Sequence, residues 1–107
     1  MKLNIYKGKQ IAKTYTADTY DLMFGTLEDV AEAVKLDELK DGTDAEIIKL
    51  IGKAVIGSMD TVKDLLKDIF PGITDEELRH VTVKEIAQVL KDVVYYTIKQ
   101  LNLGEKN

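Results

Sequence analysis

The stretch FPGITDEELRHVTVKEIAQVL, Phe70 to Leu90, holds the only proline of the chain and two Thr-x-x-Glu sequences eight residues apart. Pro71 disfavours α geometry at Phe70, and Gly72 readily takes a left-handed turn, so a helix arriving from the N-terminal side stops here. Thr74 restarts it. Its hydroxyl is placed to accept from the backbone of Glu77 while Glu77 reaches back, and Ile73 is spaced to pack on Leu78 as a hydrophobic staple. Val81, Thr82, Glu85 and Ile86 repeat the device. Two cap-and-staple signatures this close leave room for about one turn between them, which predicts a very short helix over Thr74 to His80 acting as a corner. The spacing therefore sets the angle at which the last helix returns to the body.

That last helix is predicted from Thr82 to about Asn102. At helical spacing Ile86, Leu90, Val93, Thr97 and Leu101 share one face, with Val83 and Val94 on one flank and Val89 and Tyr96 on the other. The apolar arc is wider than the ~100° stripe that one contact surface needs. Such a helix either lies between two layers or keeps part of the arc for a partner. Tyr95 stands on the opposite side, among Lys84, Gln88, Asp92 and Lys99.

The N-terminal part has a different period. Leu3 and Ile5 alternate with Asn4 and Tyr6, Gly8 offers a turn, and Gln10 to Thr16 resumes with Ile11 and Tyr15, which predicts a β-hairpin over residues 1–17. A lone hairpin is marginal in water, so it must lie on helices, pair with another strand, or both. From there the period becomes helical, giving a helical body over residues 22–103. Leu27, Val30, Ala31 and Val34 form one face, with Thr26 the N-cap candidate and Asp29 three residues on. The DELKDG segment interrupts this helix, and Thr43 with Glu46 opens the next. Ile47, Ile48, Ile51, Ala54 and Val55 make its face. A second series, Met59, Val62, Leu65, Leu66 and Ile69, follows the weak points Gly52, Gly57 and Ser58. This predicts one long helix, weakest near Gly57 where it could break, with two helices and Ser58 capping the second as the alternative. The fold expected is α+β: a hairpin packed on a bundle of four or five helices, in one domain over residues 1–107.

A chain of 107 residues, 45% of them hydrophobic, can supply one modest core. Its net charge of −4 repels nucleic acid and anionic membrane. The absence of cysteine removes disulfides and thiolate chemistry. The N-terminus turns polar too early for a signal-peptide core, and no apolar run reaches the ~20 residues of a membrane span. Asp60, Asp64 and Asp68 recur at helical spacing, but Lys63 and Lys67 lie between them and make this an ordinary solvated face. His80, the sole histidine, sits in the corner beside Arg79 and reads as a surface residue. The glycines form no phosphate loop or dinucleotide fingerprint. No cofactor, metal site or catalytic group is expected.

KTYTA at Lys13 to Ala17, LEDVAEAVKL at Leu27 to Leu36, and DIFPGITDEEL at Asp68 to Leu78 follow one another in an order that spans essentially the whole chain. Together they resemble the tail assembly chaperones of long-tailed phages and prophages of Gram-positive bacteria. The resemblance implies a non-enzymatic protein, present in the cytoplasm of the bacterial host during assembly and absent from the mature virion. Such chaperones bind the tape measure protein and bring tail tube protein to it. In many relatives a frameshift adds a second, C-terminal domain, and this chain would then be the short form. A small helical phage regulatory or host-interaction protein, or a head-tail connector component, is the alternative. The candidate contact residues are Tyr95, Tyr96 and Val89 on the last helix, with Ile5 and Ile11 in the hairpin. The hairpin's edges, guarded only in part by Lys7, Lys9 and Lys13, are also candidates for weak homo-oligomer formation, which proline at Ile5 or Ile11 should reduce.

Overall fold

The structure, a computed structural model, describes residues 1–101, with side chains through residue 100. Strands β1 (Lys2–Lys7) and β2 (Gln10–Thr16) pair antiparallel around a turn in which Gly8 has a positive φ of 65°. Leu3 and Ile5 face inward and are buried, so the alternation in β1 is the side that docks. The register slips between Ile5 and Tyr6, where Ile5 pairs with Lys13 but Tyr6 with Ile11. A single 3-10 turn at Thr19–Asp21 then leads into the helices, its start capped by the Asp18 carboxylate.

Five α-helices follow among the described residues: α1 (Phe24–Ala33), α2 (Asp44–Gly57), α3 (Met59–Ile69), α4 (Asp75–Leu78) and α5 (Val83–Leu101). The architecture is α+β, as its two apolar periods require. One buried cluster takes Leu3 and Ile5 from β1 and residues from every helix, so hairpin and helices share one core. The ends expected for α5 at Asn102 and for the helical body at residue 103 lie outside the described residues, as does the side chain of Leu101. No helix among the described residues is long and apolar enough to cross a membrane.

Three local expectations are corrected. Thr26 does not cap α1: the helix has already begun at Phe24 after Met23, and Thr26 is buried inside its first turn. Helix α1 also ends at Ala33, before the DELKDG segment, because Lys35 turns left-handed at φ 58° and a 3-10 turn then buries Leu36. The long central helix is two. Ser58 leaves α geometry at φ −140° and ψ 49°, ending α2 and starting α3, and its side chain makes no capping hydrogen bond. The division rests on backbone alone.

The corner forms as its spacing predicts. Helix α3 stops at Ile69, Gly72 takes φ 93°, and α4 is a single turn. Thr74 Oγ1 accepts from Glu77 N at 3.1 Å, and Glu77 Oε1 accepts from Thr74 N at 3.1 Å, a complete capping box. The second device is only half of one. Thr82 Oγ1 accepts from Glu85 N at 3.2 Å and donates to Glu85 Oε2 at 3.1 Å, but Glu85 Oε1 turns to the hairpin and accepts from Asn4 N rather than from the Thr82 backbone. Tyr6 N donates to the His80 carbonyl at 2.8 Å. The outward edge of β1, expected to be open, is thus covered by the corner, and the outward edge of β2 is the exposed one.

Candidate functional site

Helix α5 is the centre of the packing, in contact with β1, α1 and α2. Its wide apolar arc explains this position: Val89, Leu90, Val93, Val94 and Thr97 are all buried. Thr97 is tolerated there because its hydroxyl donates to the Val93 carbonyl at 2.7 Å, leaving no unpaired polar atom. One flank of the arc stays uncovered. Val83 is 65% exposed, and it faces a second apolar stripe on α2.

That stripe was hidden in the sequence by the breadth of α2's apolar set. Ile47, Leu50, Ile51 and Ala54 point into the core, whereas Ile48, Gly52, Val55 and Ile56 fall at helical spacing along the outer side. Ile48 is 55% exposed and Ile56 85%. Between them and α5 runs an open groove of about 420 Å3, walled on the α5 side by Val83, Lys84, Ala87, Gln88 and Lys91. Gly52 supplies no side chain to fill it, and a Cβ built there meets nothing within 4 Å. The α2 wall runs from Ile48 to Ile56, which at 1.5 Å per residue is ~12 Å, or about two helical turns. The α2 side of the groove is wholly apolar, and its polar lining residues, Lys84, Gln88 and Lys91, all stand on α5.

Tyr95 stands beside that polar side. Lys91 Nζ lies 5.9 Å from the centre of its ring, and its hydroxyl donates to Asp44 Oδ1 at the start of α2. The hydrogen bond to Asp44 holds the Tyr95 hydroxyl above its ordinary pKa of 10.0, so it stays a donor and ties α2 to α5. Tyr96 is on another surface, edge-on to Tyr20 with ring centres 5.9 Å apart. Val89 and Ile5 are 1% and 6% exposed, which places both side chains in the core rather than on a contact surface. Ile11 is half-exposed on β2. The five residues chosen from the sequence therefore do not converge: Tyr95 adjoins the groove, and Ile48, Gly52, Ile56, Val83 and Ala87, which build it, were not among them. The signal available was the surplus width of the apolar faces of α2 and α5.

The acidic series Asp60, Asp64 and Asp68 is exposed on α3, and Lys67 turns instead to Asp75 at 2.7 Å. His80 is exposed and lies 3.3 Å from Glu76. Among the described residues no three His, Asp or Glu side chains are grouped to hold a metal ion. No protein-family model matches this chain, and no curated protein or solved structure matches it.

Proposed function

We propose that this chain is a non-enzymatic phage tail assembly chaperone that holds a helical segment of the tape measure protein in the groove between α2 and α5. The groove is the observation that carries the reading. A long helical protein with an uncovered apolar stripe aggregates until something covers that stripe, and an open two-turn groove walled by Ile48, Val55, Ile56, Val83 and Ala87 covers it one short segment at a time. The resemblance carried by Lys13 to Ala17, Leu27 to Leu36 and Asp68 to Leu78 supports the same role.

The magnitudes suit a chaperone better than a permanent subunit. Burying about three large apolar side chains contributes ~5–9 kcal/mol, and association costs at least ~4 kcal/mol of that. Each contact is weak and reversible. A holder that must give way when tail tube protein assembles requires such contacts, and several copies along one tape measure chain restore the grip. On this reading the protein works in the cytoplasm of the bacterial host and leaves before the virion is complete. Weak self-association through the exposed β2 edge would set neighbouring copies side by side.

Co-expression with a tape measure protein of a long-tailed phage tests the proposal, best one whose gene adjoins this one if the neighbourhood holds such a gene. The wild-type chain should keep that protein soluble and co-purify with it. Ile56→Gln and Val83→Gln, both at exposed positions, should change stability by less than ~0.5 kcal/mol yet release the partner. A wild-type chain that leaves the tape measure protein insoluble and alone would defeat the reading.

A further inference from the structure

We infer that the groove selects an amphipathic helix whose apolar stripe is flanked by carboxylates. The inference rests on the groove being the binding site and concerns the chemistry of its occupant. The chain carries 19 acidic and 15 basic residues, yet both charged side chains lining the groove, Lys84 and Lys91, are cationic. They stand seven residues apart on α5, two turns of one helix face, so they border the apolar floor along its whole length. Gln88, between them, is neutral and donates its amide to Asp92 Oδ1 at 3.1 Å, which leaves its carbonyl oxygen and one N–H for an occupant. A helix laid on Ile48, Val55, Ile56 and Val83 with apolar residues at i, i+4 and i+7 brings its flanking positions over this row. Glutamates there are attracted, and lysines are repelled.

The same row argues against a second copy as the occupant. A two-fold pairing brings one patch against itself, which would set Lys84 and Lys91 of one copy against those of the other over a shared apolar floor. Like charges so placed oppose the contact. Occupancy by a partner of opposite charge meets no such penalty.

The test uses the full chain and two synthetic helical peptides of equal length, identical in a Leu stripe at i, i+4 and i+7, one flanked by Glu and the other by Lys. Fluorescence anisotropy at low salt should show the Glu peptide binding about threefold to tenfold more tightly, the size expected of a few exposed ion pairs. The gap should narrow as salt screens them. Lys84→Glu combined with Lys91→Glu should invert the preference; Lys84 is exposed and Lys91 half-buried, and circular dichroism verifies the fold. Equal binding of the two peptides, or an unchanged preference in the double variant, overturns the inference. If the peptides bind equally while the tape measure protein still co-purifies, the charge assignment alone fails. If the preference inverts as expected but the tape measure protein does not co-purify, the groove chemistry stands and the functional proposal fails. Self-association of the wild type that Ile56→Gln abolishes and Thr14→Pro leaves intact would give the groove to a second copy, and would also overturn the inference.

Discussion

Glu85 Oε1 accepts a hydrogen bond from the backbone N–H of Asn4 at 3.1 Å, across 81 positions of sequence. Glu77 does the equivalent on the other strand, where Tyr15 donates its hydroxyl to Glu77 Oε1 at 2.7 Å and Lys13 lies 3.5 Å from Oε2. The two Thr-x-x-Glu sequences thus do more than start helices. Each glutamate reaches from a cap to one strand of the hairpin, and with the Tyr6 to His80 backbone bond they fasten the ribbon to the corner. An isolated hairpin is marginal, and this attachment is the polar half of what holds it, the buried Leu3 and Ile5 being the apolar half.

Glu85→Ala should therefore cost more than the loss of a cap alone. It leaves Asn4 N without its acceptor, a charge-assisted bond worth ~1.5 kcal/mol or more, whereas Thr74→Ala and Thr82→Ala should each cost ~1 kcal/mol as plain caps. Glu85→Gln retains an acceptor oxygen and should lose less than Glu85→Ala. Urea unfolding of the four variants orders them, and equal stability of Glu85→Ala and wild type would sink the attachment.

Acid should loosen the same attachment. The Tyr15 hydrogen bond, with the Thr74 backbone and Lys13 behind it, holds the Glu77 carboxyl below its ordinary value of 4.5. A carboxylate whose pKa is lower in the folded state adds stability that is fully present above the unfolded value and is lost as pH falls through the folded one. The urea midpoint should hold from pH 7 to about 5 and decline below ~4.5. In Glu77→Gln part of that decline should disappear, and an identical acid limb in the variant would contradict the assignment.

Gly52 separates stability from binding. It lies inside α2 with open space where a Cβ would be. Gly52→Ala should therefore stabilise the helix by ~0.5–1 kcal/mol. The added methyl narrows the groove floor, so affinity for a helical partner should fall severalfold although thermal unfolding moves upward. A variant both more stable and unchanged in binding would remove Gly52 from the site.

The hairpin edge gives a further experiment. Met1 and Ala17 exchange two backbone bonds, so the alternation of an antiparallel ladder directs the backbone groups of Thr14 and Thr16 away from β1. Thr14→Pro removes one of these outward donors and should reduce self-association measured by sedimentation, at the cost of the exposed Thr14 to Asn4 side-chain bond. Ile5→Pro is no substitute: Ile5 pairs with Lys13 inside the ladder and its side chain is buried, so that change attacks the fold. A wild-type chain that is monomeric at high concentration would end the idea.

What the sequence determined by itself is what neighbours in the chain decide among themselves. The Thr74 capping box, the Thr43 and Thr82 caps, the stop at Phe70 and Pro71, and the positive φ of Gly72 each involve residues no more than a turn apart, and each stands where its spacing placed it. The alternation of Leu3 and Ile5 likewise marked the buried side of β1. Tertiary structure decided the rest, because the choice there lies among partners distant in sequence. Thr26 had the look of a cap but was drawn inside α1, where it is buried. The Glu85 carboxylate keeps Oε2 on the Thr82 hydroxyl but gives Oε1 to Asn4 N in place of the Thr82 backbone, an option that exists only once the hairpin has docked. Ile47 and Ile48 are adjacent and chemically alike, yet one is buried and the other 55% exposed. Hydrophobicity ranks both as core. Only the position of α5 leaves one of them in the groove, since burial is settled by what packs opposite a side chain and not by the side chain itself.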